Sequence, residues 1–258
     1  MSLLELQDGI IYGPINSRRL GTSLGLNIMP TDRKLCSFNC VYCHYGWTDE
    51  QALDLADQLT ELPTPGQVED ALRRGLEEMI RKDQKPDYIT FSGNGESTVH
   101  PQFKEIVEKV RAVRDEILPG VKVTLLSNST ALDRPAVAEA IGLIDLPIMK
   151  LDASTEELFR KINRPVGDIT LAKVVSGLKR LGRFDTQTVF MRGTVDNATD
   201  DAVESWIALI GEIRPQEAQI YTVDRWPADP GLEKVDKPRL HQIAELTGER
   251  TGVKVVVY

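Results

Sequence analysis

Six times along this 258-residue chain a short apolar run with strand periodicity is followed by a longer run with helical periodicity. This recurrence limits the fold more than any other feature. Leu24, Leu26 and Ile28 alternate as in a strand and lead into a polar, cysteine-bearing loop that lasts to about Trp47. Val68, Leu72, Leu76, Met79 and Ile80 then fall at helical spacing, and a second strand, 88–92, ends in the turn Gly93-Asn94-Gly95. Phe103, Ile106, Val107, Val110 and Ile117 form the next helical face, and a third strand, 121–126, ends at Ser127 and Asn128. A helix over 135–141 precedes a fourth strand, 148–151, closed by Asp152, after which 169–181 reads as helix. The fifth strand, 186–191, ends at Arg192 and Gly193, and helix 202–213 leads to the sixth, 218–222. A last helix, 238–246, precedes the apolar tail 253–257.

Strands alternating with helices of this length imply parallel pairing through right-handed crossovers, hence a doubly wound sheet or a barrel. The placement of polar residues favours the barrel for function, because chemistry in α/β barrels collects where strands end and their loops converge. The cysteines follow strand one, Glu96 strand two, Ser127 and Asn128 strand three, Asp152 strand four, Arg192 strand five and Arg225 strand six. No linker splits the chain, so one domain over 1–258 is expected: an N-terminal extension (1–23), a barrel core (24–225) and a C-terminal helix and strand (226–258).

The formal net charge of −8 repels polyanions on average and argues against strong RNA or DNA binding, while leaving a local basic patch open. Arg18, Arg19, Arg33 and Lys34 would form such a rim near the mouth, suited to an anionic substrate or an acidic electron donor, or merely solvated. The first ten residues carry Glu5 and Asp8 and no basic leader or long apolar run, and no stretch approaches the roughly 20 apolar residues of a membrane span. A cytoplasmic protein without membrane contact is the expectation.

All three cysteines lie within Cys36-Ser-Phe-Asn-Cys40-Val-Tyr-Cys43. An odd, crowded set points away from disulfides and towards metal or redox chemistry. Three thiolates can hold three irons of a cubane that normally takes four cysteines, leaving the fourth iron open to a small ligand. The alternative is a Cys3His zinc site completed by His44, although zinc sites usually draw their ligands in separated pairs.

At these residues the chain resembles the radical S-adenosylmethionine (SAM) superfamily, with Tyr42 in the aromatic place of the C-x3-C-x-aromatic-C signature. Gly13-Pro14-Ile15-Asn16-Ser17-Arg18-Arg19-Leu20-Gly21, Phe91-Ser92-Gly93-Asn94-Gly95-Glu96 and Lys150-Leu151-Asp152-Ala153 are similar to the iron–sulfur oxidoreductase branch related to wyosine tRNA-base synthases. The likeness spans about Gly13 to Arg225. It implies a partial (β/α)6 barrel of parallel strands with a short C-terminal extension, and one [4Fe–4S] cluster on Cys36, Cys40 and Cys43. It also implies reductive cleavage of SAM to methionine and a 5′-deoxyadenosyl radical that abstracts hydrogen from a substrate.

By the same resemblance, Gly93, Asn94, Gly95 and Glu96 meet the SAM amine, Ser127 and Asn128 its ribose or methionine moiety, and Tyr42 its adenine. Asp152 would orient ribose hydroxyls or substrate, and Arg192, or Arg164 less directly, would neutralise the SAM carboxylate. Each has a structural alternative: Glu96 starting a helix, Ser127, Asn128 or Asp152 capping one, Tyr42 in the core, the arginines as surface charges. Tyr221, Arg225 and Trp226 are candidates for the substrate side. The expected partners are a small-molecule or peptide substrate and an electron donor such as flavodoxin or ferredoxin, with tRNA-base modification as the alternative reading.

Overall fold

The computed structural model describes residues 2–258, the side chain of Gln58 excepted. The chain begins with strand β1 (Ile11–Ser17), which turns back onto β2 (Gly21–Leu26). A two-residue parallel pair, β3 (Leu35–Cys36) and β4 (Glu50–Gln51), frames the cysteine loop. There follow α1 (Pro65–Arg81), β5 (Tyr88–Phe91), α2 (Phe103–Ile117), β6 (Lys122–Ser127), α3 (Pro135–Gly142) and β7 (Leu146–Lys150). After α4 (Glu156–Ile162) and α5 (Leu171–Arg180) come β8 (Asp185–Gly193), α6 (Asp200–Ile213) and β9 (Glu217–Thr222). The chain ends with β10 (Leu232–Lys234), α7 (Lys237–Thr251) and β11 (Lys254–Val257).

The large sheet runs β1-β2-β5-β6-β7-β8-β9-β11. Its six central strands, β2 and β5 to β9, are parallel neighbours, so the βα recurrence has become the curved sheet of a partial barrel. β1 adds an antiparallel edge beside β2, β11 extends the sheet beyond β9 in parallel, and β10 pairs antiparallel with the end of β8.

Local chemistry explains where the elements stop. Thr64 and Gln67 form a capping box at the start of α1, with Pro65 at its first position. Val68, Leu72, Leu76 and Met79 turn inward as the periodicity predicts, but Ile80 is exposed on the outer side. β2 ends at Leu26 rather than continuing to residue 28, because the Asn27 side chain bonds both the N–H and the C=O of Met29, at 3.3 and 3.1 Å. Leu24, Leu26 and Ile28 are buried all the same.

Two elements that shape the mouth of the barrel carry no strong periodicity. β1 contains Gly13-Pro14, which reads as a turn; the strand tolerates it because it is an edge with a register shift between Tyr12 and Ile15. Helix α4 is only seven residues long, held by Thr155 capping Leu158 and by the pairs Glu156–Arg160 and Glu157–Lys161. On the outer face, Phe190 and Trp206 meet edge to face at 5.2 Å, as do Phe91 and Phe103 at 5.7 Å, fixing helices to strands.

Candidate functional site

The cysteine loop follows the end of β2 and is tied down on two flanks. Leu35 donates its N–H to the Asn94 carbonyl at 3.0 Å, which brings the loop against the glycine turn after β5. The approach is so close that a side chain on Gly95 would place its Cβ 1.6 Å from the Leu35 carbonyl oxygen; only glycine fits. On the other flank, Asn39 and Val41 donate to the carbonyls of Asn163 and Ile162 at the end of α4, both at 3.0 Å.

The half-buried free thiols of Cys36 and Cys40 each face a carboxamide. Asn128 Nδ2 points at Cys36 Sγ and Asn163 Nδ2 at Cys40 Sγ, both at 3.6 Å. Burial, then Glu96 and Cys40, push the Cys36 thiol up to about 12, and burial, then Asp152 and Cys43, do the same to Cys40. Thiols of this kind lose their protons when a metal binds the sulfur, the proton being released to solvent. Lys34 supplies the compensating charge. Expected on an exposed rim, it is instead buried, with Nζ donating to the Gly46 carbonyl at 2.7 Å. Burial works to lower its pKa, yet the fields of Cys43, Cys36 and Cys40 hold it above its ordinary value.

This donor set fits an iron–sulfur cluster: three thiols in one loop, amide donors towards two sulfurs, and a buried ammonium that offsets thiolate charge. Among the described residues no three His, Cys, Asp or Glu side chains converge on a single-ion position. A lone tetrahedral ion requires such convergence, whereas each iron of a cubane takes its own thiolate. The radical SAM superfamily model matches residues 34–210, from the cysteine loop through most of α6. The chain belongs to the radical SAM superfamily.

That superfamily uses a [4Fe–4S] cluster and SAM. The UPF0026 protein MJ1312 of Methanocaldococcus jannaschii is 32% identical to this radical SAM chain over 89% of it, covering 67% of that protein. A protein of Brachyspira hyodysenteriae named GTPase Obg is 28% identical over 86% of the chain, which spans only 31% of its length. Among solved structures, a radical SAM methyltransferase from Sphaerobacter thermophilus superposes with a TM-score of 0.64 at 13% identity, over 92% of this chain and 66% of that one. The structure of TYW1 with a lysine-pyruvate adduct bound gives 0.60 at 16%, over 92% and 77%. These establish a shared fold.

Within the radical SAM site, three of the sequence candidates, Glu96, Ser127 and Asn128, meet beside Cys36. Glu96 is buried, and its carboxylate accepts the Ser127 hydroxyl at 2.8 Å, the Asn128 N–H at 2.6 Å and the Thr98 hydroxyl at 2.6 Å. Burial nevertheless holds its pKa above the ordinary value. Glu96 also begins a short 3-10 turn by capping Thr98, so its helix-starting role is real alongside the contacts with β6. Ser127 and Asn128 do not cap α3, whose first turn follows Arg134. Asn94 is committed to protein: its side chain donates to the carbonyls of Gln7 and Pro30 and accepts from the Gln7 N–H, all at 2.8 Å. Gly93 passes close to Asn27, at a φ of 130° that other residues rarely adopt.

Asp152 and Tyr42 meet beside Cys40. The Tyr42 hydroxyl donates to Asp152, which also takes Lys150 Nζ at 2.9 Å, Asn163 Nδ2 at 3.2 Å and the Val189 N–H at 3.0 Å. Asp152 does not cap α4; Thr155 does. Lys150 continues the chain of contacts to the Tyr221 hydroxyl at 3.1 Å and lies 4.8 Å from the Tyr42 ring centroid. Its buried ammonium is kept protonated by Asp152 and Tyr221 against the cost of burial. Neither Asn163 nor Lys150 is marked out by sequence spacing, although Lys150 opens the stretch Lys150-Leu151-Asp152-Ala153.

The two arginines stand apart from this cluster of contacts. Arg192 meets Asp196 at 4.0 Å from the stretch of β8 paired with β10, and Arg164 stacks over Trp47 at 4.7 Å. Arg33 is likewise occupied, by Glu50, Glu61 and Asp32. Inside the barrel, a cavity of about 260 Å³ opens beside His44, lined by β1, β2, β5, β9 and the loop after it. Tyr12 reaches into it over Gly25, where any Cβ would lie 2.2 Å from the phenol ring. Arg225 and Tyr221 line this cavity; Trp226 lies outside it, exposed.

Proposed function

We propose that the chain is a radical SAM enzyme acting on a small polar substrate held inside the partial barrel. The observation that carries this reading is the stitching of the three-cysteine loop to Glu96, Ser127 and Asn128 on one flank and to Asp152 and Asn163 on the other, with a cavity reaching the loop at His44. Cys36, Cys40 and Cys43 would hold the cluster, which with SAM bound supplies a 5′-deoxyadenosyl radical by reductive cleavage.

The chain's own residues position and insulate that chemistry. Glu96, Ser127 and Asn128 fix Cys36 and line the side from which the amine and ribose of SAM would be met. Asp152 and Tyr42 do the same beside Cys40, and the turn Gly93-Asn94-Gly95 lies against the loop through the Asn94 carbonyl, which accepts the Leu35 N–H. Lys34 and the two asparagines would offset negative charge on the thiolates. Arg192 is left without a role in this scheme, since its guanidinium is drawn to Asp196. A cavity of about 260 Å³ favours a small molecule over a tRNA base carried on its polymer, in keeping with the net charge of −8.

The test is anaerobic reconstitution with iron and sulfide, followed by dithionite and SAM, and detection of 5′-deoxyadenosine by mass spectrometry. Production that disappears in each of Cys36→Ala, Cys40→Ala and Cys43→Ala supports the reading. A full four-iron cluster that neither binds SAM nor yields 5′-deoxyadenosine overturns it.

A further inference from the structure

The turn between β1 and β2 crosses the open side of the barrel and lands on its last strand. Arg18 pairs with Asp224 just beyond β9. Arg19 lies over the Tyr221 ring, 4.5 Å from guanidinium carbon to centroid, with the Tyr258 ring at 5.8 Å. The hairpin therefore walls off the cavity of about 260 Å³ that runs beside His44, the residue after Cys43.

That wall is positive in a chain of net charge −8: it presents Arg18, Arg19 and Arg225 against one carboxylate, Asp224. Asp224 is already shared by Arg18 and by Lys234 at 3.6 Å. Neither Arg19 nor Arg225 has an acidic partner among the described residues. Moreover, Nη1 of Arg19 is buried without any hydrogen-bond acceptor. A buried charged N–H without a partner is costly enough that folded proteins rarely leave one, and at a cavity wall it marks the place of an absent acceptor. Stacking on Tyr221 fixes the guanidinium plane, which presents its fork to an oxyanion. Further polar groups stand on the same wall, where the Tyr12 and Ser92 hydroxyls meet at 2.5 Å.

We propose that this cavity binds a small oxyanion-bearing substrate, a carboxylate or a phosphate, with Arg19 as the anchor and Arg225 as the second cation. The substrate role rests on the radical SAM reading above; the anion site itself does not. The hairpin then acts as the specificity element of the barrel, since it brings the anchoring charge to a lumen whose other walls are largely neutral.

The test is calorimetric titration of the anaerobically reconstituted protein at low ionic strength with two probes, succinate and inorganic phosphate. One probe is expected to bind the wild type, with affinity lowered at least tenfold in Arg19→Gln and in Arg225→Gln. Arg225 is exposed, so its variant keeps the test valid should Arg19→Gln fail to fold. Recovery of phosphate binding but not succinate binding in Arg19→Lys identifies the bidentate fork as the carboxylate reader. Binding of succinate alone assigns a carboxylate, and of phosphate alone a phosphate. Failure of both probes on the wild type, or equal affinity in all variants, overturns the proposal. SAM binding and 5′-deoxyadenosine assays on the same preparations, with dithionite and SAM added, separate the two claims: anion binding by a full four-iron cluster protein that neither binds SAM nor yields 5′-deoxyadenosine supports the site and overturns only the radical reading, and 5′-deoxyadenosine without anion binding overturns only the site.

Discussion

The carboxylate of Glu96 accepts the backbone N–H of Asn128 at 2.6 Å, joining the turn after β5 to the end of β6 in one unit. Asn128 passes the constraint on, donating to the Ser37 hydroxyl at 2.9 Å and facing Cys36. Glu96→Gln sets an amide donor against the Asn128 N–H at a buried site, at a cost of about 1–3 kcal/mol. The expected result is a lower melting temperature and faster alkylation of Cys36 in the metal-free protein. Unchanged alkylation would show that the loop holds its shape without this carboxylate.

Lys34 and the two asparagines lead to a prediction about redox poise. A cation and N–H donors near thiolates favour the more negative, reduced cluster. Replacing Asn128 or Asn163 by leucine removes one hydrogen bond of about 1 kcal/mol, equivalent to ~40 mV for a one-electron couple. Lys34→Met removes a full charge and should lower the potential further, by on the order of 100 mV at an effective dielectric of about 20. Potentiometric titration followed by electron paramagnetic resonance reads the shift; an order in which the asparagine variants move more than Lys34→Met contradicts this account.

Much of this site was legible because barrel chemistry gathers at strand ends. Cys36, Glu96, Ser127, Asn128 and Asp152 each end a strand or follow one, and the fold brings them into a connected pair of contact groups. Less legible were residues whose role comes from tertiary contact. Asn163 precedes Arg164-Pro165 and reads as loop, yet α4 delivers it between Cys40 and Asp152. Lys34 reads as one more surface charge beside Arg33, and only the closure of the loop over it reveals a buried ammonium. Tyr12 was concealed by Gly13-Pro14, which announces a turn where an edge strand runs.

Gly95 and Gly66 form a paired test of close packing. Gly95→Ala would drive a Cβ to 1.6 Å from the Leu35 carbonyl, so the cysteine loop must lift away from the turn. Loss of iron binding is expected, with destabilisation of about 3 kcal/mol or more, comparable with overpacking a core. Gly66, in the first turn of α1, has nothing within 4 Å of its would-be Cβ. Gly66→Ala should stabilise the protein by about 0.5–1 kcal/mol while iron content stays constant. Iron analysis and denaturant titration distinguish the pair.

Asp185, at the start of β8 inside the barrel, carries a pH signature remote from the cysteines. Burial, then Glu217, push its carboxyl up to about 6, and its Oδ2 receives Gln219 Nε2 only at 3.4 Å. A folded-state pKa above the unfolded value means that the native protein binds this proton more tightly. The associated stability is complete below the ordinary carboxylate value and is lost as pH rises through about 6. A shift of about two units corresponds to roughly 2–3 kcal/mol between pH 3 and pH 7. Asp185→Asn removes the titration while keeping the shape and an amide for Gln219. It should therefore raise stability at pH 7 by about 2 kcal/mol and leave it nearly unchanged at pH 4, as measured by urea unfolding at the two pH values. Equal effects at both would mean that the carboxyl is already ionised in the fold, and that Gln219 satisfies it better than the distance suggests.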